Sequence, residues 1–189
     1  VIEVGVDPAL GGGCALVCAH LGSKLSIIDC ITKTGLNRTE EILELVEDFA
    51  VRYRPSTVII EIDSQQKGLG NDDRLRAMGH RYGFSIRPHI TRMQKLDEVF
   101  GVASMDQSFR KQEISIPWKD QADKDRMMDL VTQLRNWRPD IKTKLLTQDL
   151  VMALWFVWRH WRQMTREHHV EPAPAWRPTW VLNEAALRV

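Results

Sequence analysis

The sequence predicts an α/β fold: a mixed five-stranded sheet, three antiparallel strands and then parallel ones, flanked by helices. Three observations carry this. Residues 1–34 hold three strand-like runs joined by short turns. From residue 39 onward, helix-patterned and strand-like segments alternate, as in parallel sheets. One of the strand-like runs, "VIIEID" at 58–63, is almost continuously apolar, which suits a strand buried on both faces.

Taken in order, "VIEVGVD" (1–7) alternates and runs into a Pro and Gly turn, "PALGGG". "CALVCAHL" and "LSIIDCITKT" follow with only "GSK" between them, an antiparallel meander. In "LNRTEEILELVEDFAVRY", Ile42, Leu45, Val46 and Phe49 fall at helical spacing, with Asn37 or Thr39 as the N-cap. "PSTVIIEID" returns to a strand, and "SQQKGLGN" (64–71) is a polar loop. "DDRLRAMGHRYG" reads as a short helix begun by Asp72 and Asp73 and ended by Gly83, and "FSIRPHI" as the fifth strand. A helix is expected over part of 92–109, and "EISIP" as a short extended piece. Met128, Val131 and Leu134 mark another helix, and "LTQDLVMALWFVWRHWRQM" a long one capped by Thr147. Beyond a domain of residues 1–165, residues 166–189 are proline-rich and polar apart from Trp176 and Trp180. They predict a loosely packed or partly disordered tail.

A length of 189 residues suits one domain with a real core, and 43% apolar with 27% charged residues is ordinary for a globular chain. No apolar run approaches the roughly 18 residues of a membrane helix. Val1 stands first and a strand begins at once, so the chain is expected to be a piece of a longer protein. Cys14, Cys18 and Cys30 form no CxxC pair and lie in apolar runs, which predicts buried thiols in a reducing compartment.

A net charge of +1 does not mark a nucleic-acid binder. Its distribution says more. Between residues 67 and 95 stand Lys67, Arg74, Arg76, Arg81, Arg87, Arg92 and Lys95, against Asp72 and Asp73. Such a field draws phosphates, although a run of charge on a solvated helix face reads the same way.

Three acids interrupt apolar elements. Asp7 ends the first strand, Glu61 lies near the end of the fourth, and Asp149 opens the last helix. If the fourth strand runs parallel beside the first, Asp7 and Glu61 sit side by side, and a helix over the sheet brings Asp149 to them. Carboxylates that close repel unless divalent cations hold them. Hard oxygen ligands suit Mg²⁺ or Mn²⁺ better than zinc, and two such ions roughly 3.5 to 4 Å apart serve phosphodiester cleavage. The plainer alternative has Glu61 paired with Lys67, Asp7 starting a turn and Asp149 complementing its helix. Asp63 shares the strand face of Glu61 and is an accessory candidate ligand. Glu3 is expected to be solvated or paired near the start of its strand. Gly11, Gly12 and Gly13 lack phosphate-loop spacing and lead into a strand, so they read as a tight connection. Trp155, Trp158 and Trp161, with Phe156, read as core or as a buried contact with a missing domain, and His160, His168 and His169 as surface residues.

The ordered set "VGVDPALGGG", "VIIEID" and "TQDLVMALWF" resembles the nuclease domain of tailed-bacteriophage large terminases, in the ribonuclease H-like superfamily. The stretch "MQKLDEVFGVASMDQSFRKQEISIPW" resembles their approach to a short "IP" strand, and "MMDLVTQLRNW" their helix before the last acidic motif. The likeness covers about residues 1–162. It implies catalytic acids at Asp7, Glu61 and Asp149, with Gln148 where many relatives carry a further acid. Asp63, or backbone and water, would then complete the second ion's shell. It also implies a two-ion Mg²⁺ or Mn²⁺ site and endonucleolytic cutting of concatemeric viral DNA during genome packaging. The implied partners are double-stranded DNA, an ATPase domain of the same full-length chain, the portal and the small terminase subunit, in the host cytoplasm and transiently on the procapsid. Lys67 and Gly68 are expected near the scissile strand, with Arg74, Arg76 and Arg81 on flanking phosphates. Other readings are a Holliday-junction resolvase or transposase-like nuclease, or an inactive binding module of the same fold.

Overall fold

Three antiparallel strands open the chain: β1 (Ile2–Pro8), β2 (Gly13–Leu21) and β3 (Leu25–Thr34). The computed structural model describes residues 1–8, 13–36, 38–62, 69–138 and 148–165. β4 (Thr57–Glu61) pairs parallel with β1, and β5 (Ser85–His89) pairs parallel with β4. The sheet has six strands, not five, in the order β5-β4-β1-β2-β3-β6. The sixth, β6 (Ile114–Ser115), is the "EISIP" piece added parallel to β3. Two paired residues are too few for an alternating pattern, which is why the sequence shows only an extended segment there.

Helices cover both faces. On one lie α1 (Thr39–Tyr53) and α2 (Asp73–Tyr82), packed on Val4, Val6, Leu16, Val58 and Ile60. On the other lie α3 (Met105–Arg110), α4 (Gln121–Asn136) and α5 (Asp149–Thr165), packed on Ala15, Val17, Ala19 and Ile59. The split follows strand parity, since successive side chains point to opposite faces.

Local chemistry sets the helix ends. Asp72 Oδ1 accepts from the N–H groups of Arg74 (2.8 Å) and Leu75 (3.3 Å), and Gly83 closes α2 at φ 78°. Asp73 is the first helical residue, not part of the cap. α1 is capped at Arg38, whose N–H donates to Glu41 Oε2 (3.0 Å), so Thr39 is already helical. Asn37 and Thr147 lie outside the described residues, as do the turn at 9–12 and the whole of 166–189, with Trp176, Trp180, His168 and His169. The helix expected over part of 92–109 is α3, and it is preceded by two 3-10 turns, Arg92–Leu96 and Val102–Ser104. In α4 the fully buried positions are Met127, Leu130, Val131 and Leu134, with Met128 at the margin.

The tryptophans of α5 are core. Trp155, Trp158 and Trp161 are at most 2% exposed, and each indole N–H is satisfied: by Phe100 O (2.8 Å), Ser108 Oγ (3.0 Å) and Gly22 O (2.9 Å). The three cysteines are buried and free, and burial pushes the thiols of Cys18 and Cys30 up to about 12. Buried Asp29 in β3 joins the two layers, accepting from Tyr53 Oη (2.5 Å) and Arg52 (3.1 Å) of α1 and from Arg126 (3.1 Å) of α4. Among the described residues, no helix is long and apolar enough to cross a membrane.

Candidate active site

Odd-numbered residues of β1 face α5, which runs antiparallel above them. Glu3 meets His160, its Oε2 2.7 Å from Nδ1; Gly5 lies against the backbone of Ala153; Asp7 faces Asp149. Glu3 is buried and paired, not solvated, and His160 is not a surface residue, its side chain being only 12% exposed. A carboxylate buried on the underside of a helix needs such a partner, and one turn of α5 supplies it.

The parallel register pairs Gly5 with Ile59 and Val6 with Ile60, so the next step along both strands brings Asp7 beside Glu61 on the α5 face. Asp149, the first residue of α5, descends on the pair. The three acids line one cavity of about 250 Å³ with Thr91, Lys95, Leu96, Trp137, Arg138, Gln148 and Met152. It opens where the parallel strands end, the usual place for ligands in open α/β sheets.

Burial, then the charges of Glu61 and Asp149, push the Asp7 carboxyl well above the usual carboxylate range. The Glu61 side chain, standing close to Asp7, adds to the same upward push. Asp149 is also raised, by burial and then by Glu61. Among the described residues none of the three acids forms an ion pair.

The donor chemistry of the cavity fits a hard divalent cation. Its acids present only oxygen, and the buried Thr91 hydroxyl beside them has no hydrogen-bond partner among the described residues. As the side chains stand, no group of three or more His, Cys, Asp or Glu among the described residues is gathered into a cation cage.

Other predicted site residues lie elsewhere. Asp63, Lys67 and Gly68 are outside the described residues. Arg74, Arg76 and Arg81 lie on α2, across the sheet from α5. Arg74 donates to Glu40 (3.2 Å), Arg76 to Asp73 (3.3 Å) and Asn71 (3.1 Å), and Arg81 lies 3.7 Å from Glu47. A larger cleft of about 340 Å³ between α1 and α2 is lined by these Arg74–Glu40 and Arg81–Glu47 pairs and holds none of the three acids. The cations at the acid cavity are instead Lys95 and Arg138. Lys95 was legible as the end of the basic run; Thr91 and Arg138 carried no signal of their own.

The sheet order, the mixed pairing and the flanking helices are those of the ribonuclease H-like fold. Among solved structures, the large terminase nuclease from thermophilic phage G20c, with bound zinc, matches with a TM-score of 0.53 and 14% identity, covering 84% of this chain and 80% of that one. The fowlpox virus Holliday junction resolvase matches with a TM-score of 0.51 and 12% identity, covering 87% of this chain and 99% of that one. No protein-family model matches the sequence, and no curated protein matches it.

Proposed function

We propose that the chain is a metal-dependent DNA endonuclease of the large-terminase type, cutting concatemeric viral DNA with little sequence preference during packaging. One observation carries the reading: three acids from three separate elements converge on a single cavity at the ends of the parallel strands, with no ion-pair partner among the described residues. An inactive scaffold gains nothing from buried, mutually repelling carboxylates.

In this reading Asp7, Glu61 and Asp149 hold Mg²⁺ or Mn²⁺, with Asp63 as an accessory ligand. Bound there, the ions would lower the proton affinity of the attacking water and stabilise the leaving oxygen. The chain's own part is positional. β1 and β4 fix Asp7 and Glu61 in register, and α5 holds Asp149 over them. A carboxylate ligand must be ionised; burial resists this at Asp7, and the charge of Lys95 favours it. Arg74, Arg76 and Arg81 are proposed to hold phosphates beyond the cut, with Lys67 nearer to it. All three α2 pairs are solvent-exposed, so exchanging a carboxylate for a phosphate costs little. The sequence resemblance favours a packaging nuclease, joined in the longer protein to an ATPase motor and acting at the portal with a small subunit. The likeness to a junction resolvase is comparable, so a four-way junction belongs among the substrates tested.

The test is nicking of plasmid DNA in Mg²⁺, Mn²⁺ or EDTA by wild type, Asp7→Asn, Glu61→Gln and Asp149→Asn. Cutting is expected only with metal and only in wild type. Equal activity in EDTA, or in all three variants, removes the assignment.

A further inference from the structure

The lip of the acid cavity is the segment from Ile90 to Leu96. Its residues Arg92–Leu96 form a 3-10 helix, in which side chains three apart stack in one row. Met93 and Leu96 fall at that spacing and are 73% and 45% exposed, and Ile90, two residues ahead of the helix, is 41% exposed, so the segment carries an apolar ridge. Thr91, Lys95 and Leu96 of the same segment line the cavity itself. Lys95 is exposed and has no hydrogen bond or ion pair among the described residues, whereas neighbouring Arg159 is engaged with Gln94 Oε1 (2.5 Å). Asp97 fixes the end of the segment by accepting from the N–H groups of Val99 (2.8 Å) and Phe100 (2.7 Å).

We propose that this segment is a base-unstacking lip: Lys95 holds a phosphate of the strand to be cut, while Ile90, Met93 and Leu96 press into the adjoining base step. The proposal rests on the nuclease reading and narrows its substrate to DNA that opens locally at the cut. Ile, Leu and Met are among the side chains with which proteins wedge base steps apart, and an exposed cation next to such a ridge suits a phosphate backbone. A protein partner fits less well, because lysine is depleted from the buried centres of protein interfaces. Thr91, Lys95 and Leu96 line the same opening as Asp7 and Glu61, so a strand whose phosphate reaches the acids passes beside this segment.

The experiment compares nicking in Mn²⁺ of a linear duplex and of the same duplex carrying a three-base mismatch bubble. The proteins are wild type, Ile90→Ser/Met93→Ser and Lys95→Gln, with Asp149→Asn as the blank. Both ridge positions are exposed, so the double variant should fold, which its melting curve checks. It is expected to lose about ten-fold or more on the duplex and to recover on the bubble to within about two-fold of wild type, because unstacking a step costs a few kcal/mol. Lys95→Gln is expected to lose on both substrates, with the salt slope of binding reduced by about 1. Equal loss on both substrates by the ridge variant, or no loss on either, overturns the proposal while leaving the nuclease reading intact. Unchanged cutting together with loss of self-association would assign the ridge to a second copy of the chain and also overturn it. Failure of wild type to cut either substrate removes the nuclease reading and the lip with it.

Discussion

A Cβ placed on Gly5 would stand 2.1 Å from the carbonyl oxygen of Ala153 and 3.0 Å from Val157 Cγ2. The missing side chain lets α5 lie directly on β1, and that closeness is what lowers Asp149 onto Asp7. Gly5→Ala must push the helix away from the strand. It is expected to destabilise the fold by about 1–3 kcal/mol, the usual cost of overpacking a filled core. Cleavage should fall further than stability explains, because Asp149 moves with the helix. Melting curves and nicking rates of the same preparation separate the two effects.

Asp7 holds its proton more tightly in the folded chain than an ordinary aspartate does, chiefly because it is buried and then because of Glu61 and Asp149. The folded state therefore binds more protons than the unfolded one, and stability falls as pH rises from 3.8 through the folded value. Asp7→Asn removes the titrating group. In EDTA at neutral pH it is expected to melt about 2–4 °C above wild type, the shift made by roughly 1 kcal/mol in a domain of this size, while its nicking is lost. An activity-dead variant that melts below wild type would contradict the unfavourable burial described for Asp7.

His89 has the opposite sign. Its ring packs against Trp155 (centroids 5.1 Å apart) and Phe156 (4.6 Å), and its Nε2 has no partner among the described residues. Burial first, then Arg159 and Arg87, holds its pKa down at about 4, and Glu61 stands opposite it in the register of β4 and β5. The unfolded chain takes up that proton near 6.5, the folded chain only near 4. The contribution to stability is thus complete above pH 6.5 and lost as pH falls toward 4. His89→Phe keeps a ring in the cluster and removes the proton site. Its melting temperature is expected to fall less than that of wild type between these two pH values.

The sheet was legible because β1 to β4 write their burial as alternation or as apolar runs, and the three acids because each interrupts an apolar element. Other features depend on partners that the chain brings from far away. Glu3 and His160 are 157 residues apart, so neither the burial of the acid nor the enclosure of the histidine shows locally. The run of arginines on α2 is plain in the sequence, yet nothing there shows that α1 carries Glu40 and Glu47 across to Arg74 and Arg81. Thr91 carries no signal in the sequence, yet the fold makes it part of the cavity lining with a buried hydroxyl that has no partner among the described residues.

The central claim is that Asp7, Glu61 and Asp149 jointly grip hard cations, and calorimetric titration of metal-free protein with Mn²⁺ tests it without relying on DNA. Wild type should bind Mn²⁺ and melt at a higher temperature in its presence, since a ligand of the folded state alone stabilises that state. Asp7→Asn, Glu61→Gln and Asp149→Asn should each lose both responses. Equal Mn²⁺ affinity in wild type and all three variants would contradict the account.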